Sequence, residues 1–186
     1  MGASQLAGPL LFFNTESADM KWSDLTLNTP AASSLVSVAE AKAHLRVDHN
    51  VDDALIGSLI EVAVGAVEGP NGYGLALQAQ TWSFQTYKQE ERIPLHPVIN
   101  ITSVTDADDE EMAWNLWQDI VEIEEVGVKP YTVTFTAGYA TVPTILKHAV
   151  LMMVPHLYHD REGAQDSEPK GFERIMNKFR VGRFGS

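Results

Sequence analysis

TVPTILKHAVLMMVPHLYHDREG, residues 141–163, is the stretch on which the fold turns. Thr141 has a side chain suited to a helix cap, and Pro143 in the first turn has no N–H to leave unpaired. At the other end Arg161 suits the negative end of a helix dipole, and Gly163 suits a helix stop. Between them Val142, Ile145, Leu146, Ala149, Val150, Leu151, Met152, Met153, Val154, Leu157 and Tyr158 cover most of the helix circumference. A helix apolar nearly all round packs on several sides, so residues 142–162 are expected to form the central helix. Pro155 removes the hydrogen bond to the Leu151 carbonyl and is expected to bend it. Lys147, His148, Pro155 and His156 break the run of about 20 apolar residues that a membrane span requires.

Upstream, Ser37-Val38-Ala39-Glu40 fits a capping box, hydroxyl at the cap and carboxylate three residues on. It predicts a short helix from Val38 to about Leu45. Asp52 is placed to cap a second helix, Asp53 to Glu68, which Gly69-Pro70 stops. Leu55, Ile56, Leu59, Ile60, Ala63, Ala66 and Val67 give it an apolar stripe at spacings of three and four. Alone the helices of 38–68 would expose that stripe, so they must pack on the central helix.

The period changes after the turn-rich Gly69–Gly74. Gln78 to Tyr87 alternates, as do Val98 to Thr105 and Tyr131 to Ala137, and Asn115 to Glu125 is a further strand candidate. Ile93-Pro94-Leu95-His96-Pro97 is expected to be extended and edge-like, because each Pro lacks a ladder donor. The predicted class is α+β: a small helical bundle around the long helix in the C-terminal half, with an inserted antiparallel sheet and hairpin region over 76–140. Extended arms flank it. The α+β core covers 37–163, an N-terminal arm 1–36 and a basic, apolar tail 164–186.

Three segments remain outside that frame. In the arm, Leu11, Phe12 and Phe13 lie in the one dense apolar cluster; the arm is either a flexible leader or a strap that binds a neighbouring subunit. Met20 is a conceivable alternative start. From Asp106 to Glu125 acids accumulate (Asp106, Asp108, Asp109, Glu110, Glu111, Asp119, Glu122, Glu124, Glu125) without one Lys or Arg. They either solvate a hairpin and guard its edge, or line or rim something. The tail carries Phe172, Ile175, Met176 and Phe179 on one face of a short helix, with Lys170, Arg174, Lys178, Arg180 and Arg183 around it and Phe184 beyond. Such a helix is marginal alone, so it folds back on the core or docks on a partner.

Composition narrows the function. The 186 residues suit one domain, and 45% hydrophobic residues suit a globular chain. With no Cys there is neither a disulfide framework nor a thiolate site, as an intracellular assembly environment would lead one to expect. The net charge of −12 argues against a general nucleic-acid-binding surface, without excluding a protein that surrounds DNA loosely. The apolar patch Pro9–Phe13 follows no basic residue, so no secretory signal is expected. His156, His159 and Asp160 are the best metal or catalytic candidates, but no Glu sits between the histidines as in HExxH. The acidic segment lacks the order of a calcium loop. No GxSxG elbow, P-loop or GxGxxG occurs. Neither catalysis, a metal nor a cofactor is expected.

Three passages together resemble the head–tail connector, or adaptor, proteins of tailed bacteriophages and gene transfer agents. The first is VAEAKAHLRVDHNVDDALIGSLIEVAVGAVEGPNGYGL, residues 38–75. The second runs from Gln80-Thr81-Trp82 through Ile93-Pro94-Leu95-His96-Pro97-Val98 to Ile101-Thr102-Ser103-Val104. The third joins Phe135-Thr136-Ala137-Gly138-Tyr139 to Val142-Pro143, Leu146-Lys147-His148-Ala149 and His156-Leu157-Tyr158-His159-Asp160-Arg161-Glu162. The resemblance covers about Val38 to the C-terminus and leaves out the arm.

It implies a structural virion protein of the neck, assembled in the bacterial cytoplasm. Such proteins form a ring, usually of twelve copies, under the portal protein. The ring extends a DNA channel whose DNA it does not bind tightly, and gives a platform to the next neck, stopper or tail-terminator protein. On this reading the Phe172–Phe184 tail docks on the portal, with Phe179 as anchor and Arg180 and Arg183 pairing with its carboxylates. The acidic segment would then face the channel or its lower rim. Alternatives are another tail-completion ring protein, a binding module outside any virion, or a metal-dependent hydrolase using His156, His159 and Asp160.

Overall fold

The computed structural model describes residues 25–69, 72–160 and 168–179. In chain order the elements are β1 (Thr26–Thr29), α1 (Val38–Leu45), α2 (Asp53–Val67), β2 (Gln80–Thr86), β3 (Glu90–Arg92) and β4 (Val98–Thr105). They continue with β5 (Trp114–Trp117), β6 (Ile120–Ile123), β7 (Tyr131–Ala137), α3 (Thr144–His159) and α4 (Lys170–Phe179). The class is α+β, as expected.

Two cores organise these elements. In the helical core Ile56, Ile60, Ala63 and Val67 of α2 meet Leu146, Ala149, Val150, Met153 and Val154 of α3, with Ala41 of α1 beside them. The α2 stripe therefore lands on the central helix. Ser37 and Glu40 make both halves of the capping box, and Glu40 Oε1 accepts from Lys147 Nζ at 2.7 Å, tying α1 to α3.

The second core lies between sheets. A four-stranded sheet of order β1-β2-β7-β4 and a three-stranded sheet of order β3-β6-β5 are both antiparallel. Trp82, Phe84, Ile101, Val104, Val133 and Phe135 of the first meet Val121 and Ile123 of the second. Gly138 leads from β7 toward α3; a Cβ there would stand 2.1 Å from the Gln78 carbonyl oxygen, so only glycine fits.

Several expectations need correction. Part of the N-terminal arm is an edge strand, β1, whose Leu27 faces Trp82 of β2. Asn115 to Glu125 is not one strand but the hairpin β5–β6, turned at Gln118 with φ 57°. The Ile93–Pro97 segment lies outside the strands, with Ile93 and Leu95 buried. Its backbone bonds go to loops: Ile93 N–H to the Asp119 carbonyl at 2.7 Å and His96 N–H to the Gly74 carbonyl at 3.1 Å. Asp52 occupies the N-cap of α2 without capping it; its carboxylate accepts from the Tyr158 hydroxyl of α3 instead. α3 is shorter than 142–162, with Pro143 rather than Thr141 at its N-cap, and continues through Pro155 to His159. Gly163 lies outside the described residues.

Candidate functional site

The acidic segment divides into a turn and a sheet face. Asp106 is only 7% exposed, because it holds the turn together. Its Oδ1 accepts from the N–H groups of Asp108 at 2.9 Å and Glu110 at 3.1 Å, and its Oδ2 from that of Val128 at 3.0 Å. These bonds, that of Val128 foremost, lower its pKa below the usual carboxylate value. Asp106 is thus withdrawn from the group of rim acids: it fixes the backbone on which Asp108, Asp109, Glu110 and Glu111 stand exposed.

The sheet β3-β6-β5 turns its other acids outward. Paired residues in an antiparallel ladder point the same way, so register defines the rows. Glu90, Glu122 and Asn115 form one row, and Arg92, Ile120 and Trp117 the next. Glu124 follows Glu122 on this face and accepts from Asn115 Nδ2 at 2.7 Å. Val121 and Ile123 point inward and are buried. Trp117 is 74% exposed, while Arg92 bonds Asp119 at 2.5 Å. Asp119 also lies 3.7 Å from His96, whose pKa burial pushes below its ordinary value. Sequence reading counted the acids here but missed Trp117 and Glu90, since it took Asn115 to Glu125 as one strand rather than β5 and β6. Glu125 is exposed beyond β6.

The tail helix α4 is seated on its own chain. Phe172 and Met176 are both 0% exposed, Phe172 meets Tyr73 edge-on at 5.8 Å between ring centroids, and Ile175 and Phe179 pack against the same core. The Tyr73 hydroxyl donates to Glu168 at 2.8 Å. Phe172 and Met176 are therefore not free to anchor on a partner while α4 is seated. Lys170, Arg174 and Lys178 line its exposed face. Arg180, Arg183 and Phe184, like Leu11, Phe12 and Phe13, lie outside the described residues.

Two carboxylates join the parts. Glu68, after α2, accepts from the Leu77 N–H at 2.6 Å and from Gln80 Nε2 at 2.8 Å, linking the helical core to β2. Burial raises its pKa against those bonds. Glu40 is held down to about 2, first by the hydrogen bond from Lys147 and then by those from Ser37. His156 and His159 sit in the last turn of α3. Among the described residues no three His, Asp or Glu side chains are grouped to hold a metal, and no helix is long and apolar enough to cross a membrane.

Residues 36–115 match the family model of the phage gp6-like head-tail connector proteins. No curated protein matches the chain. Among solved structures, a chain of the virion of a native gene transfer agent particle is 23% identical with a TM-score of 0.69. A chain from the neck of the empty particle, computed with C6 symmetry, is 22% identical with a TM-score of 0.68. A third, from the neck of the native particle computed with C12 symmetry, is 21% identical with a TM-score of 0.69. Each alignment covers 86% of this chain and 96% of the other. The likeness to head–tail connectors carried by the three sequence passages is thus matched by that family's model over residues 36–115 and, as a fold, by chains of gene transfer agent particles.

Proposed function

We propose that this chain is a head–tail connector of a virion neck, a structural subunit that works through its surfaces and not by catalysis. One observation carries the reading: the connector family matches residues 36–115, while the fold over 86% of the chain matches a chain from a particle neck. The symmetry of that neck, C12, supports a ring, and twelve copies is the number proposed. The ring sits under the portal protein, extends the DNA channel and presents a platform to the next neck, stopper or tail-terminator protein. It is assembled in the bacterial cytoplasm.

The charge fits this role. Each phosphate neutralised by a protein cation adds affinity that would slow passing DNA, and this chain carries −12 overall. In this reading Asp108, Asp109, Glu110 and Glu111 are the acidic lining or lower rim of the channel; their exposure on a turn fixed by Asp106 supports it. Replacing these four by their amides should alter genome retention or ejection; unchanged DNA content and titre would count against that placement. Portal docking then falls to the C-terminal residues Arg180, Arg183 and Phe184. Truncation after Phe179, which leaves α4 in place, should abolish portal binding. Retained binding would remove the assignment.

Another ring of the tail-completion set is the second reading, favoured by the same fold. Pull-down against portal and tail-tube proteins separates the two, since a connector binds the former.

A further inference from the structure

The outer face of the sheet β3-β6-β5 and the outer face of α4 are complementary in charge, and among the described residues Glu90, Glu122, Trp117, Lys170, Arg174 and Lys178 stand exposed on them. On the sheet, Glu90 stands directly opposite Glu122, a like-charge cross-strand pair that weakens the ladder. Glu124 continues the charge along β6, and the row of Ile120 and the 74% exposed Trp117 borders it. Trp117 and Arg92 flank Ile120 in that row, and Trp and Arg are residue types enriched at interface anchors. On α4, Lys170, Arg174 and Lys178 recur every fourth residue, and all three are exposed. Among the described residues none of the three has an ion-pair partner.

The charges are opposite in sign, and their neighbour spacing is comparable. Fourth neighbours on a helix are ~6 Å apart along its axis. Carboxylates opposite each other on adjacent strands are ~5 Å apart, and second neighbours along a strand ~7 Å. Glu122 thus lies from Glu90 and from Glu124 at about the interval between neighbouring cations on α4, the acids turning a corner at Glu122 where the cations lie in one row.

We infer that α4 of one copy lies across the β3-β6-β5 face of a second copy, Lys170, Arg174 and Lys178 meeting Glu90, Glu122 and Glu124, with Trp117 packed at the edge of the contact. The inference rests on the ring reading and deepens it. Each copy carries both faces, and when α4 of each copy lies on the next copy rather than being exchanged reciprocally the contact is heterologous, propagates head to tail and closes into a ring when its rotation allows. Nucleic acid is a poorer occupant of the α4 face, since three cations on a chain of net charge −12 release few counterions against the repulsion of the rest.

The test is charge reversal on the full chain, read by sedimentation velocity at low salt. Wild type should self-associate, more weakly as salt rises. K170E/R174E/K178E and E90K/E122K/E124K should each associate at least tenfold more weakly when alone. Mixed in equal amounts they should recover, because every contact in an alternating assembly is again complementary. Because the chain has no Cys, mixing E122C with R174C under oxidation gives a second readout that tolerates a poorly folding triple variant. A cross-linked heterodimer exceeding the two homodimers is expected. Association unchanged by both triple variants would overturn this contact while leaving the ring reading standing. Wild type that stays monomeric at every concentration would also overturn it, and the ring itself is then judged separately by imaging necks. Loss of DNA binding in K170E/R174E/K178E, with association intact, would reassign the face to nucleic acid.

Discussion

Phe172→Ala should release α4 before it unfolds anything else. The ring is 0% exposed and, with Met176, is one of two fully buried anchors of a ten-residue helix. Removing a buried Phe side chain costs ~3–5 kcal/mol, lost transfer plus residual cavity. Full burial of an anchor of this size contributes ~1.5–3 kcal/mol, so one substitution removes much of what holds the helix down. A helix this short has little stability of its own and melts where it undocks. A loss of about 3 kcal/mol corresponds to more than a 100-fold change in an equilibrium constant. Hydrogen exchange at the amides of 175–179 should therefore accelerate roughly 100-fold. Amides of β7, central in the four-stranded sheet, should slow or quicken by only a few-fold. Unchanged protection in α4 would show that Phe172 does not hold the helix down, and equal losses in α4 and β7 would make the helix part of one cooperative unit.

Other expectations follow from the carboxylates. Glu40 has a folded pKa of about 2, below its unfolded value, so its stabilisation is present above about pH 4.5 and is lost as pH falls toward 2; Glu40→Gln should flatten acid unfolding across that window. Glu68 has the opposite sign. Its folded pKa is raised, so the folded chain holds the proton longer and stability falls as pH rises from the unfolded value through the folded one. Glu68→Gln, which keeps an acceptor for Leu77 N–H, should remove that dependence, and a wild-type melting point that does not fall over this range would contradict the assignment. Asp106→Ala leaves three backbone N–H groups without their acceptor, so it should lower the melting temperature far more than Asp108→Ala does. Equal effects would show that the turn does not depend on Asp106.

What could be read in the sequence was what local pattern determines. The capping box at Ser37, the α2 stripe and the alternation of Tyr131 to Ala137 each specify an element by periodicity or a side-chain bond, and each stands where predicted. β1 and β3 could not be read this way. Thr26–Thr29 is exposed throughout, and Glu90–Arg92 is three residues long, so hydrogen bonds to β2 and β6 create them rather than burial. The β5–β6 turn escaped notice because Gln118 takes the left-handed conformation that sequence rules reserve for Gly or Asn. Counting charge found the acidic segment but not its division of labour, because the withdrawal of Asp106 depends on Val128, twenty-two residues away. The stripe of α4 predicted a helix with an apolar face. Only the fold shows that its own chain covers that face.

A neck subunit whose work is done by contact must be present wherever heads and tails are joined. Cryo-electron microscopy of particles assembled with and without it decides the matter. A ring of this chain is expected between head and tail in the complete particle, and heads without attached tails that lose DNA when it is missing. Joined, genome-filled particles assembled in its absence would contradict that role.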